Sequence, residues 1–307
     1  MPGTTEGTGA GYRPLLFSIA YGMTGSVGDA EDLVQEAFLG LAKARHAGTP
    51  ITDVKAYLTT AVTRRGINHL GSARVRRERS VGDRLPEPVV VLPGTPGPAE
   101  HAELAEALSM AFLVLLESLS PVERAVFTLR EVFGYGYADL SGMIGKSEAN
   151  CRQIFARARQ RIAAEGPPGG AYSVERRAEG RELARRFFAA AEGGDLDALL
   201  GLLAPDVVLH TDGGGRAKAL SGPVEGRTPV ARLLLGVCRR GAALGVTLRS
   251  ALVNGRPGAV MYDADGGVLS VVGLDLDDGV VRAVRAMSDP AKLGHVGQGV
   301  AVDGVSP

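Results

Sequence analysis

Four groups of side chains in this sequence have types and spacings that could bind or react. From Asp29 to Ala44 the text reads DAEDLVQEAFLGLAKA. At helical spacing Leu33, Val34, Ala37, Phe38 and Leu41 share one face, which leaves Asp32, Gln35 and Glu36 as an acceptor-rich ridge on the other. Such a ridge suits a basic partner, where charge complementarity steers docking. From Thr63 to Arg79 there are six arginines and one acidic residue, an electrostatic footprint for phosphates. In GMIGKSEANCRQIFARARQRIA, Gly145 offers a tight turn and Ser147 a cap. Cys151, Ile154, Phe155, Ala158 and Ile162 recur at spacings of three and four, so Arg152, Gln153, Arg157 and Arg159 face outward. Finally, His210, Asp212, Tyr262 and Asp263 are types that could transfer protons if they converged.

Two apparent motifs carry no chemistry. GKS at 145–147 ends like a phosphate-binding loop, but Leu140 stands where that motif needs Gly, and a helix precedes it where a strand is required. Cys151 and Cys238 lie far apart without ligand spacing, so neither a disulfide framework nor a zinc site is expected, and Cys151 reads as a small core residue.

The elements that must position these groups fall into blocks. Residues 11–79 read as helical, with Asp29 as the expected N-cap of the ridge helix and Glu31 in its first turn. Residues 80–101 hold five prolines between Ser80 and Glu100 and read as an extended linker, about 60 Å long if fully stretched. Residues 102–165 are helical again and contain two helices at a turn. Residues 171–295 begin with helices and continue as short β-rich runs separated by Gly and Asp turns, an α+β texture. Residues 296–307 are Gly- and Val-rich without a period and are expected to be loose.

Composition constrains the partners little. Of 307 residues, 45% are hydrophobic and 22% charged, and 34 basic residues balance 34 acidic ones, so local clusters rather than net charge must select partners. No apolar run is long enough to span a bilayer, and the N-terminus lacks a signal-peptide core. A cytoplasmic, nucleoid-associated protein with no membrane partner is the expectation.

The pattern D-A-E-D-L-V-Q-E-x-F-L resembles the helix by which extracytoplasmic-function sigma factors of the sigma-70 family grip core RNA polymerase. LSPVERAVFTLR, YADLSGMIGKS and the later RAR resemble the fourth conserved domain of the same family. The resemblance covers roughly residues 11–165 and implies a multidomain chain: two all-α sigma domains, sigma-2 and a sigma-4 helix-turn-helix, joined by the Pro-rich linker. It implies that Asp32, Gln35 and Glu36 meet the polymerase. Tyr57, Arg64, Arg65, Asn68 and His69 would contact the opened promoter strand, and Arg74, Arg76 and Arg77 its backbone. Glu148, Asn150, Arg152 and Gln153 would meet base edges, with Arg157 and Arg159 on phosphate.

The remaining block looks like a SnoaL-like, NTF2-like α+β cone. RLPEP at 84–88, DGGGR at 212–216 and DPAKL at 289–293 resemble marks of the SigJ-type sigma factors, whose fused extension regulates the sigma portion. The regulatory contacts implied are Leu85, Pro86, Glu87 and Pro88 in the linker, then Asp212, Gly213, Gly214, Gly215 and Arg216, then Asp289, Pro290, Lys292 and Leu293. The implied partners are core RNA polymerase and promoter DNA, with a small-molecule ligand of the cone left open, and no cofactor and no enzymatic activity are expected. The alternative is a helix-turn-helix module fused to a SnoaL-like cyclase, isomerase or small-molecule sensor.

Overall fold

A computed structural model describes residues 9–77, 85–93, 108–165, 174–214 and 222–296, without the side chains of 73–77, 165 and 174–177. The described residues divide into two units: 9–77 with 108–165, and 85–93 with 174–296. The described linker segment, read from its prolines as an extended connector, therefore folds with the C-terminal part of the chain.

In the first unit α1 (Arg13–Thr24) starts with Pro at its first positions and ends at Gly25, whose φ of 67° stops it. Ser26, not Asp29, caps α2 (Val27–His46), its side chain accepting the Asp29 amide at 3.1 Å. Asp29 instead lies in the first turn, where its charge suits the helix dipole. Leu33, Val34, Ala37 and Leu41 of α2 pack on Leu16, Ile19, Ala20 and Met23 of α1 and on Leu58 and Val62 of α3 (Val54–Arg77), all buried. Four further helices lie among the described residues of the unit: α4 (Met110–Leu116), α5 (Pro121–Glu131), α6 (Tyr137–Ile144) and α7 (Glu148–Glu165). A capping box opens α5, with Ser120 accepting from the Glu123 amide and Glu123 accepting from the Ser120 amide. Helices α6 and α7 form the helix-turn-helix, with Gly145 in the left-handed region between them.

The second unit packs α8 (Val174–Gly193), α9 (Leu196–Leu202) and α10 (Arg227–Ala243) on one face of a seven-stranded sheet. Its strands are β1 (Val90–Val91), β2 (Leu203–Asp212), β3 (Val224–Glu225), β4 (Thr247–Val253), β5 (Arg256–Tyr262), β6 (Val268–Asp277) and β7 (Val280–Met287), in the order β1-β4-β5-β6-β7-β2-β3. Among the described strands only the β2–β7 pair is parallel. Phe187, Phe188, Leu199, Val207, Leu209, Leu274 and Val284 belong to the buried cluster between helices and sheet. A four-residue helix, α11 (Pro290–Leu293), follows β7. Among the described residues no helix is long and apolar enough to cross a membrane.

Candidate functional site

On α2 the burial of Leu33, Val34, Ala37 and Leu41 leaves Asp32, Gln35 and Glu36 exposed, and Leu39 one turn on is exposed as well. The ridge is partly tied to α3: Arg65 Nε stands 3.2 Å from Glu36 Oε2, and His69 Nε2 3.1 Å from Asp29 Oδ2. Asn68 is exposed and Tyr57 half-buried on the same helix. Arg74, Arg76 and Arg77 belong to the last turns of α3, and their side chains lie outside the described residues.

Arg64 behaves differently from the sequence expectation. Its Nε donates to the Met143 carbonyl and its Nη2 to the Gly142 carbonyl, both at 2.9 Å. These carbonyls end α6, where the helix dipole favours a cation. Arg124 of α5 makes the reciprocal contact, buried, with Nη1 donating to the Met23 carbonyl at the end of α1 at 2.9 Å. Two arginines thus cap helices of opposite halves of the unit, and in this state Arg64 is directed at protein rather than held out for a DNA strand.

The stripe on α7 is buried at Cys151, Ile154, Ala158 and Ile162, with Phe155 half-buried against Phe127. Burial raises the Cys151 thiol above its ordinary value, with Glu148 adding to that and Lys146 opposing it, so the group stays an inert thiol. Glu148, Arg152, Gln153, Arg157 and Arg159 are exposed and Asn150 half-buried. Glu148 accepts from Arg152 at 2.7 Å, a pair absent from the sequence argument.

The densest polar cluster lies in the second unit, around the captured linker. Lys292 Nζ bridges the Leu85 carbonyl at 2.5 Å and Asp212 Oδ2 at 2.6 Å. The same carboxylate accepts the Leu85 amide at 3.0 Å, while its other oxygen accepts the Gly214 amide at 3.1 Å. Burial alone would raise the Asp212 pKa, but the Lys292 hydrogen bond, the Gly214 and Leu85 amides and the Lys292 charge outweigh it and hold the carboxyl below its ordinary value. Gly214, at φ 63°, passes so near Asp289 that a Cβ there would overlap its carboxylate. Asp289 caps α11 by accepting from Ala291, which sets Lys292 and Leu293 in place.

Further along, His295 Nε2 lies 2.8 Å from the Pro88 carbonyl. Val89 and Asn254 exchange bonds: the Val89 amide donates to Asn254 Oδ1 at 3.1 Å, and the Asn254 amide to the Val89 carbonyl at 2.8 Å. Val90 and Val91 then pair antiparallel with Val253 and Leu252, so the linker becomes an edge strand of the sheet. Leu85, Pro86 and Pro88 are buried and Glu87 half-buried. Of the contacts expected from the sequence, Leu85, Pro88, Asp212, Gly214, Asp289 and Lys292 meet here. Gly213 and Pro290 only flank the cluster, Leu293 is buried beside it, and Gly215 and Arg216 lie outside the described residues. Sequence reasoning missed His295, Asn254 and Val89 to Val91. The run VVV and the Asn254-Gly255 turn were the available signals.

The proton-transfer set does not assemble. Asp212 is committed to the linker, and Asp263 accepts from Asp265 and Gly267 in its own turn. The Tyr262 ring lies under the Arg249 guanidinium at 5.2 Å. His210 and Asp212 alternate with Leu209, which faces the helix-covered core, so both point away from the interior of the cone.

Known families account for this arrangement. The model of sigma-70 region 2 matches residues 10–76, that of sigma-70 region 4 residues 109–162, and that of a SnoaL-like domain residues 184–306. The chain is 37% identical over 293 residues to the ECF RNA polymerase sigma factor SigJ of Mycobacterium tuberculosis, covering 92% of this chain and 90% of that one. The chain is an ECF RNA polymerase sigma factor. This sigma factor is also 31% identical over 282 residues to a probable ECF RNA polymerase sigma factor, SigI, of the same organism, covering 92% of each. The crystal structure of SigJ superposes with a TM-score of 0.73 at 34% identity, covering 92% of this chain and 96% of that one. The three matched regions are therefore a sigma-2 domain, a sigma-4 domain and a SnoaL-like domain, in the order the sequence suggested.

Proposed function

We propose that this sigma factor seats on core RNA polymerase through Asp32, Gln35 and Glu36, and that α3 and α7 engage the two elements of a promoter. The SnoaL-like domain governs this activity by holding the linker between the sigma domains, and it acts as a regulator without turnover. Tyr57, Arg65, Asn68 and His69 then meet the opened strand, joined by Arg64 once it leaves the α6 carbonyls, while Arg74, Arg76 and Arg77 follow the backbone. The work is cytoplasmic, at the nucleoid, with the polymerase supplying all phosphodiester chemistry. The observation that carries the regulatory part is the capture of Leu85 by Asp212 and Lys292. A linker held from Leu85 to Val91 cannot lend that length to separate two modules that must span more than one duplex turn, roughly 34 Å.

The test adds core polymerase and a promoter library to the full chain and to a version ending near Gly170. Promoter-directed transcripts that differ between the two support docking and regulation together. Equal transcripts remove the regulatory role, and no transcripts from either remove the docking.

A further inference from the structure

The aromatic side chains of the sigma-4 domain form a file that ends under the recognition helix. Phe112 meets Phe127 at 6.1 Å between ring centroids, Phe127 stacks on Phe155 at 5.7 Å, and Phe155 meets Tyr137 edge-on at 6.4 Å. Tyr137 is the first residue of α6 and half-buried, so its ring position follows from packing inside the domain. Over that ring sits the Arg152 guanidinium, its Cζ 5.0 Å from the centroid. Arg130, whose Nη1 donates to the Tyr135 carbonyl at 2.8 Å, meets the same ring at 4.8 Å.

Arg152 is 55% exposed, and an exposed arginine ordinarily samples many rotamers that it must give up on binding. Here two contacts hold it from different elements: the Tyr137 ring from α6 and the Glu148 carboxylate from its own helix at 2.7 Å. A cation over an aromatic face is attracted by the ring quadrupole, and the flat guanidinium keeps its outer N–H groups available while it stacks. A planar donor held in this way at the start of the second helix of a helix-turn-helix is prepared for a bidentate base or phosphate contact.

We propose that Tyr137 is a positioning residue for promoter recognition: with Glu148 it fixes the Arg152 guanidinium, and through Arg152 it sharpens the choice of base in the element read by α7. This rests on the reading of Arg152 as a DNA contact.

The test uses the full-length chain with core RNA polymerase and a library randomised across the upstream promoter element, scored by the transcripts recovered. Arg152→Ala is expected to relax the preference at one or two base pairs. Tyr137→Leu should relax the same positions and lower recovery of the preferred sequence roughly two- to fivefold, the scale of one exposed cation–π contact. Tyr137→Phe, which keeps the ring, should retain the preference. Tyr137→Leu combined with Arg152→Ala should match Arg152→Ala alone. Should Tyr137→Leu not fold, judged by its helical melt, Tyr137→Met replaces it, which also removes the aromatic face, and it should relax the same positions. An effect of either variant that persists unchanged in the Arg152→Ala background, or that falls on other base pairs, overturns the positioning role. No change for Arg152→Ala itself overturns the DNA reading beneath it.

Discussion

The linker cluster around Asp212 and the surface shared by α2 and α3 both set carboxylates against cations, yet they differ in access to water. The side chains of Lys292 and Asp212 are 13% and 6% exposed, whereas those of Arg65 and Glu36 are 36% and 62% exposed. In the first, every oxygen of Asp212 has a partner within the unit, so the pair is part of the fold and its loss strands a buried charge. In the second, water screens the charges and either member can exchange its partner for another at little cost. A buried pair fixes a segment within the fold, whereas an exposed pair can yield to an outside partner.

The largest expected effect breaks the buried side of this contrast. Lys292→Ala leaves Asp212 buried without its cation, which costs roughly 3–5 kcal/mol. Chemical denaturation of the full chain should register the loss, and hydrogen exchange at the Leu85 and Val89 amides should show the linker released. Retained protection of both amides would mean that the strand pairing of Val90 and Val91 holds the linker alone.

Titrating Asp212 is the gentler version, because a protonated carboxyl can still share hydrogen bonds. Its pKa is depressed in the folded state, so the pair contributes its stability in full above the ordinary carboxylate value near 3.8 and loses it as the pH falls through the lower folded value. Linker protection should therefore be level from pH 7 to about pH 5 and fall only below about pH 4. A loss already present at pH 6 would mean that a group other than Asp212 governs release of the linker.

On the exposed side, Asp32→Arg with Glu36→Arg should lower affinity for core polymerase by about tenfold or more through like-charge contact, while the thermal melt stays near that of the parent. Unchanged affinity would remove the ridge as the docking surface. Arg64→Ala probes a case between the two regions, since it loses two charge-assisted bonds that are partly exposed to water. About 1 kcal/mol is expected from denaturation, with faster exchange of the α6 amides.

The sequence made legible what depends on near neighbours. Spacings of three and four place Cys151, Ile154, Ala158 and Ile162 inside, and the same rule leaves Asp32, Gln35 and Glu36 outside. The N-cap of α2 escaped because Ser26 and Asp29 are both good caps, and the choice depends on Gly25 ending α1. The linker strand escaped because a two-residue strand exists only against its partner, and Asn254 lies 165 residues from Val89. Arg64 escaped for the same reason: no local pattern reveals that an outward arginine on α3 will find carbonyls 78 and 79 residues away. Asp212 and Lys292 were named from the texts around them, but nothing in those texts says that the charges would be buried together.

The smallest expected effect is the sharpest test of exposure as the deciding variable. Arg65→Ala removes the partner of Glu36, yet Glu36 remains in water and needs no replacement. Its cost in stability should be below about 1 kcal/mol and should shrink further at high salt, where the Lys292→Ala penalty should change little. The freed carboxylate also becomes more available to a basic partner, so polymerase affinity should hold or rise slightly even as promoter opening weakens through loss of the arginine. A stability loss as large as that of Lys292→Ala, insensitive to salt, would mean that the α2–α3 pair is as structural as the linker cluster, and the division between a held linker and an offered ridge would fall.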